Sequence, residues 1–278
     1  MVSGVNGVAA ALFATLFPSD CRLCGNPLLN ISRLPVCDEC VAAIHPICEG
    51  VCAICGERLA APYAFAENSG EARCGLCRRL EPPFVKAAAY GSYEGGLREL
   101  IHLLKYDQVQ PAASVLGRML AEAIADLQPL FGDGPVLVVP VPLHARKLRQ
   151  RGFNQAEVTA RAALKQGSLQ GNLELASGVL ERRRETQSQI GLSRHQRREN
   201  MRGAFAVTRR EKIEGHEILV VDDVFTTGTT VSECARVLQR AGASKVFVAT
   251  VARTLKAEPQ FAVVATKNEI ESAMAAAG

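Results

Sequence analysis

Two short runs of apolar residues, at positions 136–139 and 218–221, show no alternation with polar residues. Such runs are typical of strands that are buried on both faces, as in a parallel sheet covered by helices. Elsewhere apolar residues recur at helical spacing, and Gly242 stands where the last of these segments would end. The pattern therefore predicts an α/β fold with helices at residues 95–106, 112–127, 154–164 and 230–241.

The pattern changes on either side of this predicted α/β core. Pro82 and Pro83 mark a boundary, after which residues 84–93 predict a strand and a hairpin. The tail suggests only a strand at 261–265 and a short Ala-rich helix, with no function. We therefore expect three parts, which are an amino-terminal helix with a small cysteine-rich domain at residues 1–80, the α/β domain at 84–255, and the tail at 256–278.

The second apolar run leads directly into acids and hydroxyls. Asp222 and Asp223 follow it, and a loop of small residues separates them from the next predicted helix. This loop consists of Thr226, Thr227, Gly228, Thr229 and Thr230. Loops after parallel strands lie where open α/β folds bind ligands, and backbone N–H groups at a helix start favour phosphate. Carboxylates accept hydrogen bonds from sugar hydroxyls or hold hydrated Mg²⁺, so the segment predicts a site for a 5-phosphorylated ribose. The alternative is a buried strand that ends in a Thr-rich helix cap.

Eight of the ten cysteines form four CxxC pairs before residue 78. They are Cys21/Cys24, Cys37/Cys40, Cys52/Cys55 and Cys74/Cys77. A CxxC turn brings two thiolates to one cation, so four pairs predict two structural zinc sites, with the first two pairs on one metal and the last two on another. Cross-braced pairing, disulfides and an iron–sulfur cluster are the alternatives, although thiols without a secretory signal are expected to stay reduced.

The residues around these cysteines allow finer predictions. Gly25, Gly56 and Gly75 each follow a cysteine, as expected where a tight turn requires a positive φ. Cys48 is either a substitute ligand or simply buried, and Cys234 is expected in the core. Because the region is short and polar, we expect metal binding to supply most of its folding free energy.

Charge and hydropathy restrict the function further. The net charge is +4, and arginines crowd between residues 146 and 202. This distribution suggests an anionic ligand, either a polyphosphate or nucleic acid, and its alternative is a set of solvated helix faces. No apolar run reaches the roughly 20 residues that cross a bilayer. Residues 1–17 are apolar but lack the basic start of a secretory signal, so we expect a cytoplasmic protein without stable membrane insertion. Membrane contact by this segment is the alternative.

Several residues outside the threonine-rich loop are candidates for phosphate binding. The loop after the first apolar run is stiffened by its prolines, so its backbone is suited to hold a pyrophosphate. The guanidinium of Arg151 can neutralise the charge of this group. Lys105 can reach a phosphate or simply favour the end of its predicted helix. Arg197 and Asn200 lie at helical spacing and could share a ligand, unless residues 179–205 form a polar linker helix. The stiff backbone is that of Pro140, Val141, Pro142 and Leu143.

These motifs resemble two related groups of proteins. Residues 222–230, DDVFTTGTT, resemble the phosphoribosyl-pyrophosphate (PRPP) motif of type I phosphoribosyltransferases, with Phe225 where an aliphatic residue is usual. Residues 140–155, PVPLHARKLRQRGFNQ, and the ending VFVATVART at 246–254 are similar to the ComF family of competence and DNA-utilisation proteins. The resemblance covers residues 21–254. It implies a type I phosphoribosyltransferase fold with a central parallel sheet of about five strands and a hood, preceded by a double zinc ribbon.

The resemblance also implies roles for the candidate residues. Asp222 and Asp223 would hold the ribose hydroxyls with Mg²⁺, the threonine-rich loop the 5-phosphate, and residues 140–143 with Arg151 the pyrophosphate. In type I phosphoribosyltransferases the stretch that corresponds to residues 179–205 closes over PRPP. A transferase of this kind displaces pyrophosphate from C1 of PRPP with a nitrogen nucleophile, and Asp223 or a substrate atom is the candidate base.

Three functions stay open at this point. The first is a PRPP-dependent transferase linked to the uptake or utilisation of single-stranded DNA. The second is a non-catalytic adaptor that binds PRPP and single-stranded DNA beside a helicase-like partner. The third is a purine-salvage phosphoribosyltransferase, which is the least favoured because such enzymes need no zinc ribbon.

Overall fold

A computed structural model of the chain describes residues 19–28, 33–48, 50–59, 72–169, 171–185 and 194–255. The predicted helix at residues 1–17 and the predicted tail at 256–278 therefore lie outside the described residues. So do Thr186, Gln187, Leu192 and Ser193, which belong to the stretch 179–205 that also resembles the ComF pattern. Within the described residues, no helix is both long and apolar enough to cross a membrane.

A parallel sheet of five strands forms the centre of the molecule, in the order β1-β7-β6-β2-β3, and a separate antiparallel pair joins β4 to β5. The strands are β1 (Ala87–Ser92), β2 (Val136–Pro140), β3 (Leu173–Leu175), β4 (Leu180–Arg182), β5 (Phe205–Val207), β6 (Glu217–Phe225) and β7 (Lys245–Arg253). The two apolar runs of the sequence become the neighbouring strands β2 and β6, as their lack of polar alternation predicts.

The strand predicted near residue 84 is confirmed, but the hairpin after it is wrong. Within the described residues β1 pairs with β7 alone, in parallel, and the chain enters a helix at Gly95. The apolar side chains that follow β1 are spaced for a helix rather than for a second strand.

Eight α-helices lie within the described residues. They are α1 (Asp38–Ala42), α2 (Gly75–Arg79), α3 (Gly95–Lys105), α4 (Ala112–Ala125), α5 (Ala145–Arg151), α6 (Gln155–Ala163), α7 (Arg194–Met201) and α8 (Thr229–Arg240), with short 3₁₀ turns at Gln128–Leu130 and Arg210–Lys212. The four helices that apolar spacing predicts are α3, α4, α6 and α8, and all four are confirmed to within two residues at each end. Apolar spacing does not predict α5, because its seven residues contain four cations and only one large apolar side chain, Leu148.

The two faces of the sheet are covered by different elements. We call the face that packs against α3, α4 and α6 the α4 face, and the face that packs against α8 and the β4–β5 pair the α8 face. Alternate residues of β6 enter the two cores: Leu219 and Val221 belong to the α4 face, and Ile218 and Val220 to the α8 face. All four are fully buried, so this strand anchors both cores.

A close approach of two helices sets the position of α6. A Cβ atom on Gly117 of α4 would lie 2.5 Å from the Cβ of Ala162, so only glycine allows the observed distance between the helices. The first turn of α6 is capped by Asn154, whose side-chain oxygen accepts a hydrogen bond from the backbone N–H of Ala156 at 3.1 Å. These contacts fix Gln155, the first residue of α6, at the carboxyl edge of the sheet.

Candidate functional site

The two predicted acids lie near the carboxyl end of β6, where the strand continues to Phe225. Asp223 is buried, and its carboxylate makes an ion pair with Lys105 at the end of α3. It also accepts a hydrogen bond from the side-chain amide of Gln155 at 3.5 Å. Asp222 is less buried and lies close enough to Arg182 of β4 for their charges to interact. Asp223 therefore contacts elements of the α4 face, and Asp222 lies near an element of the α8 face.

Their surroundings shift the two acids in opposite directions. Burial raises the pKa of Asp222 well above its usual value, and the charge of Asp223 adds to this increase. Burial acts on Asp223 in the same direction, but the charge of the Lys105 ammonium group and the hydrogen bonds from Asp222, Lys105 and Gln155 together outweigh it and lower the pKa of Asp223. Asp223 is thus held as a paired carboxylate, whereas Asp222 gains most from the arrival of a cation.

A chain of polar contacts joins Asp223 to Arg151. Gln155 accepts a hydrogen bond from the guanidinium of Arg151 at 2.5 Å while its amide group donates to Asp223. The same guanidinium lies 5.7 Å from the centre of the Tyr106 ring. The sequence predicts Lys105 and Arg151 as phosphate ligands but not Gln155, although Gln155 ends the PVPLHARKLRQRGFNQ stretch that carries the family resemblance. The structure therefore brings Lys105, Arg151 and the two acids into one network.

Residues 140–143, which we call the proline loop, lie beside the acids. Pro140 ends β2 opposite Val221, and the N–H of Val141 donates to the carbonyl of Val221 at 2.8 Å. The carbonyl of Val141 accepts from the side-chain amide of Asn154 at 3.0 Å, which ties this loop to the start of α6. Lys147 is a further cation here, which the sequence does not single out from the other cations nearby. Its pKa is lowered by burial and by the nearby charges of Arg182 and Arg151.

The threonine loop, residues 226–230, leads from β6 into α8. Gly228 has a φ of +72°, in the left-handed region that glycine adopts without strain, and α8 begins at the next residue. The hydroxyl oxygens of Thr227 and Thr229 are 2.9 Å apart. Backbone N–H groups and hydroxyls thus gather at the amino end of a helix, as phosphate binding requires.

Phe225 supports the threonine loop from below. A Cβ atom on Gly228 would lie 2.5 Å from the Cζ of Phe225, so the ring fills the space under the turn. The ring also packs edge-on against Phe84, with 6.3 Å between centroids, and lies 4.3 Å from the guanidinium carbon of Arg253. This aromatic residue, unusual for the motif, is therefore integrated into the packing of the loop.

Arg197 lies on α7, which precedes the acids in the chain. It is half-buried, and α7 packs against α8, the helix that the threonine loop begins. Arg197 and Asn200 keep the helical spacing that the sequence predicts. The contacts that join the acids to the proline loop come instead from α3, β4, α5 and α6.

Eight cysteines form two groups, and within each group the four sulfur atoms lie within 4.8 Å of one another. None of the eight is in a disulfide. Four thiol groups at this separation fit the tetrahedral coordination that Zn²⁺ prefers, which gives two sites suited to structural zinc. The predicted sequential pairing is confirmed. The first centre is Cys21, Cys24, Cys37 and Cys40, and the second centre is Cys52, Cys55, Cys74 and Cys77.

The two centres share one local design. In each, the first CxxC pair lies in a tight turn closed by a glycine N–H that donates to the cysteine carbonyl four residues back, at 2.8 Å. These glycines, Gly25 and Gly56, have φ values of +74° and +68°. The second pair begins a short helix, α1 or α2. The predicted positive φ of Gly75 is therefore wrong, because Gly75 is the first residue of α2.

The two remaining cysteines differ from each other. Cys234 is fully buried in the core under α8, as predicted. Cys48 is exposed, and its thiol donates to the carbonyl of Pro46 at 3.4 Å, so the expectation that it is buried is wrong. Neither cysteine belongs to the two groups of four.

Known proteins resemble this chain along most of its length. The phosphoribosyl transferase domain family matches residues 105–272. The DNA utilization protein YhgH of Escherichia coli strain K12 is 32% identical over 239 residues, which cover 86% of this chain and 98% of the relative. Competence protein F of Haemophilus influenzae is 27% identical over 225 residues, covering 78% and 96% of the two chains. The parallel sheet and the two cysteine centres agree with these matches. The chain belongs to the ComF family, and its phosphoribosyl transferase domain follows two Cys₄ centres.

Proposed function

We propose that this protein binds PRPP together with Mg²⁺ and acts in the utilisation of incoming single-stranded DNA. The observation that carries the first part is the placement of an acid pair, a phosphate-type loop and a proline loop side by side at one edge of the sheet. The second part rests on the relatives, which are named for DNA utilisation and competence. The cytoplasm, where PRPP is available, is the expected location.

Each part of PRPP has a matching group of residues. The threonine loop offers the amino end of α8 to the 5-phosphate. Asp222 is the acid with access to a ligand, since Asp223 is buried against Lys105. Carboxylate oxygens are also the ligands that Mg²⁺ prefers, so the donor set fits this ion. When bound, Mg²⁺ would supply positive charge that offsets the negative charge of the pyrophosphate.

The proline loop and its cations match the pyrophosphate. Arg151 is held in place by Gln155 and the ring of Tyr106, and Lys147 lies near enough for their charges to interact. Cations fixed before a ligand arrives stabilise a departing pyrophosphate more than mobile ones do. This arrangement favours a PRPP-dependent transferase over an adaptor that binds PRPP without reaction. The acceptor would be a base or an amine.

The proposal is tested by isothermal titration calorimetry of PRPP with Mg²⁺. We expect Asp222→Asn to weaken binding by about tenfold or more, the change that follows from losing one charged contact. Asp133→Asn is the matched control, because Asp133 is exposed in the loop before β2, at the opposite edge of the sheet. Wild-type protein that gives no heat with PRPP, or an Asp222→Asn variant that binds as wild type does, contradicts the proposal.

Two further measurements separate the candidate functions. Release of pyrophosphate from PRPP in the presence of a panel of bases and amines identifies a transferase. Salt-dependent binding of a single-stranded oligonucleotide that is unchanged in Asp222→Asn identifies an adaptor that contacts DNA outside the PRPP site. A purine-salvage enzyme would instead turn over hypoxanthine or guanine in the first assay.

A further inference from the structure

Arg253 is a buried charge at the carboxyl end of β7, with only 3% of its surface exposed. Its guanidinium donates to the carbonyl of Cys55 and lies 3.4 Å from the carboxylate of Glu57. It also lies 3.7 Å from the sulfur of Cys55. A buried cation is costly unless it is paired, so these contacts hold the guanidinium firmly against the second centre.

The other side of the same guanidinium faces the candidate phosphate site. Its central carbon lies 4.3 Å from the centre of the Phe225 ring, at the distance of a cation–π contact. The ring in turn fills the space under Gly228, where a Cβ atom would come within 2.5 Å. A continuous set of contacts thus runs from Cys55 through Arg253 and Phe225 to the turn of the threonine loop.

We propose that Arg253 is a positioning residue that holds Phe225, and through it the threonine loop, against the second cysteine centre. The proposal rests on the proposed function, since it takes the threonine loop to bind a 5-phosphate. Gly228 adopts a left-handed conformation directly above the ring, so a shift of Phe225 changes the space on which this turn depends. A lysine at position 253 keeps the charge but lacks the planar group that can stack on the ring and donate to two partners at once.

The test compares two ligands on Arg253→Lys by calorimetry. Ribose 5-phosphate reports on the threonine loop, and inorganic pyrophosphate reports on the proline loop. We expect ribose 5-phosphate to bind about tenfold more weakly, in line with the loss of one desolvated cation–π contact. Pyrophosphate affinity and zinc content should stay as in wild type. Arg236→Lys is the matched control, because Arg236 lines the same cleft but pairs with Glu233 at 3.3 Å.

Phe225→Leu provides a second variant that does not alter the buried charge. Alone, it should weaken ribose 5-phosphate binding by a similar factor, and combined with Arg253→Lys it should add little, because both remove the same support. The inference would be overturned by additive losses of ribose 5-phosphate affinity in the double variant, or by an unchanged affinity in Arg253→Lys. Equal weakening of ribose 5-phosphate and pyrophosphate binding, or loss of zinc from Arg253→Lys, would also overturn it. If wild-type protein itself fails to bind ribose 5-phosphate, the proposed function is at fault and not the coupling.

Discussion

The two faces of the sheet carry the same kind of cysteine centre, yet the two centres are integrated to different degrees. The first centre lies on the α4 face, and only Cys21 of its four cysteines is fully buried. It joins the sheet through the hydroxyl of Tyr90, which donates to the carbonyl of Ile44 at 3.1 Å, and through the N–H of Ile47, which donates to the backbone carbonyl of Tyr90 at 2.7 Å. Its contacts therefore lie at the edge strand β1 and at the start of α3, where Ile44 and Leu23 approach Gly96.

The second centre lies on the α8 face, and all four of its cysteines are buried in the core. The N–H of Ala87 donates to the carbonyl of Ile54 at 2.7 Å, and Arg253 reaches this centre from the far end of β7. A shared local motif thus does not imply a shared role. The first centre stabilises one edge of the sheet, whereas the second forms part of the support for the candidate site.

The largest expected effect separates the two centres directly. Cys77→Ser should lower the free energy of unfolding by at least about 4 kcal/mol, among the largest effects of a single substitution, because it disrupts a metal site inside the α8-face core. Cys40→Ser should cost about half as much, since Cys40 is partly exposed and its centre lies at the edge. Urea denaturation with zinc analysis of each variant measures both values. Equal losses would show that burial does not distinguish the centres.

The two acids offer a second comparison between the faces, with effects of opposite sign. The pKa of Asp223 is lowered in the folded protein, so its ionisation stabilises the fold above its unfolded pKa of about 3.9, and this contribution is lost as the pH falls. Asp223→Asn also leaves Lys105 buried without its carboxylate, so we expect a loss of about 3 kcal/mol at pH 7.

Asp222→Asn should act in the other direction. Its pKa is raised in the folded protein, so ionisation of Asp222 costs stability as the pH rises from about 4 through the folded-state value. The asparagine variant should therefore match wild type near pH 4 and be more stable at pH 8, by on the order of 1 kcal/mol. Unfolding measured across this pH range tests both variants. Two acids that respond with the same sign would contradict an ion pair formed by Lys105 with Asp223.

These comparisons also show what the sequence could predict. Unbroken apolar runs predicted β2 and β6, and CxxC spacing predicted both cysteine centres, because each feature depends on residues close together in the chain. The same applies to the threonine loop, whose acids, glycine and helix follow one another directly. Local patterns of this kind carry their own physical reason.

Contacts between distant residues were not predictable in this way. The sequence distinguishes Arg253 only as part of the ending VFVATVART, because its partner Glu57 is 196 residues away. Gln155 similarly meets Asp223 across 68 residues. Local spacing also failed for α5, where cations replace the apolar stripe, and for Gly75, where a helix begins instead of a turn. The pairing of each centre with one face of the sheet arises only from the folded topology.

Two glycines with nearly equal φ values give a sharper comparison between the faces. Gly25 of the first centre has a φ of +74° with nothing within 4 Å of an added Cβ, whereas Gly228 has a φ of +72° above the Phe225 ring. Gly25→Ala should therefore cost about 1 kcal/mol, from conformational strain alone. Gly228→Ala should cost about 2–3 kcal/mol and weaken ribose 5-phosphate binding, because strain and a steric clash combine.

Phe225→Leu distinguishes the two glycine effects. A smaller side chain under the turn should recover part of the stability lost in Gly228→Ala and none of that lost in Gly25→Ala. Thermal unfolding of the single and double variants measures the recovery. If leucine at position 225 rescues neither glycine variant, the ring does not limit the threonine loop.

The smallest effect concerns the attachment of the first centre. Tyr90→Phe removes the hydroxyl that donates to the carbonyl of Ile44, and a lost hydrogen bond of this kind costs about 1 kcal/mol. Because Tyr90 lies on β1, away from the threonine loop, affinity for ribose 5-phosphate should not change. Urea denaturation and calorimetry on the same preparation test both statements. Weaker ribose 5-phosphate binding in Tyr90→Phe would mean that both centres, and not the second alone, determine the geometry of the site.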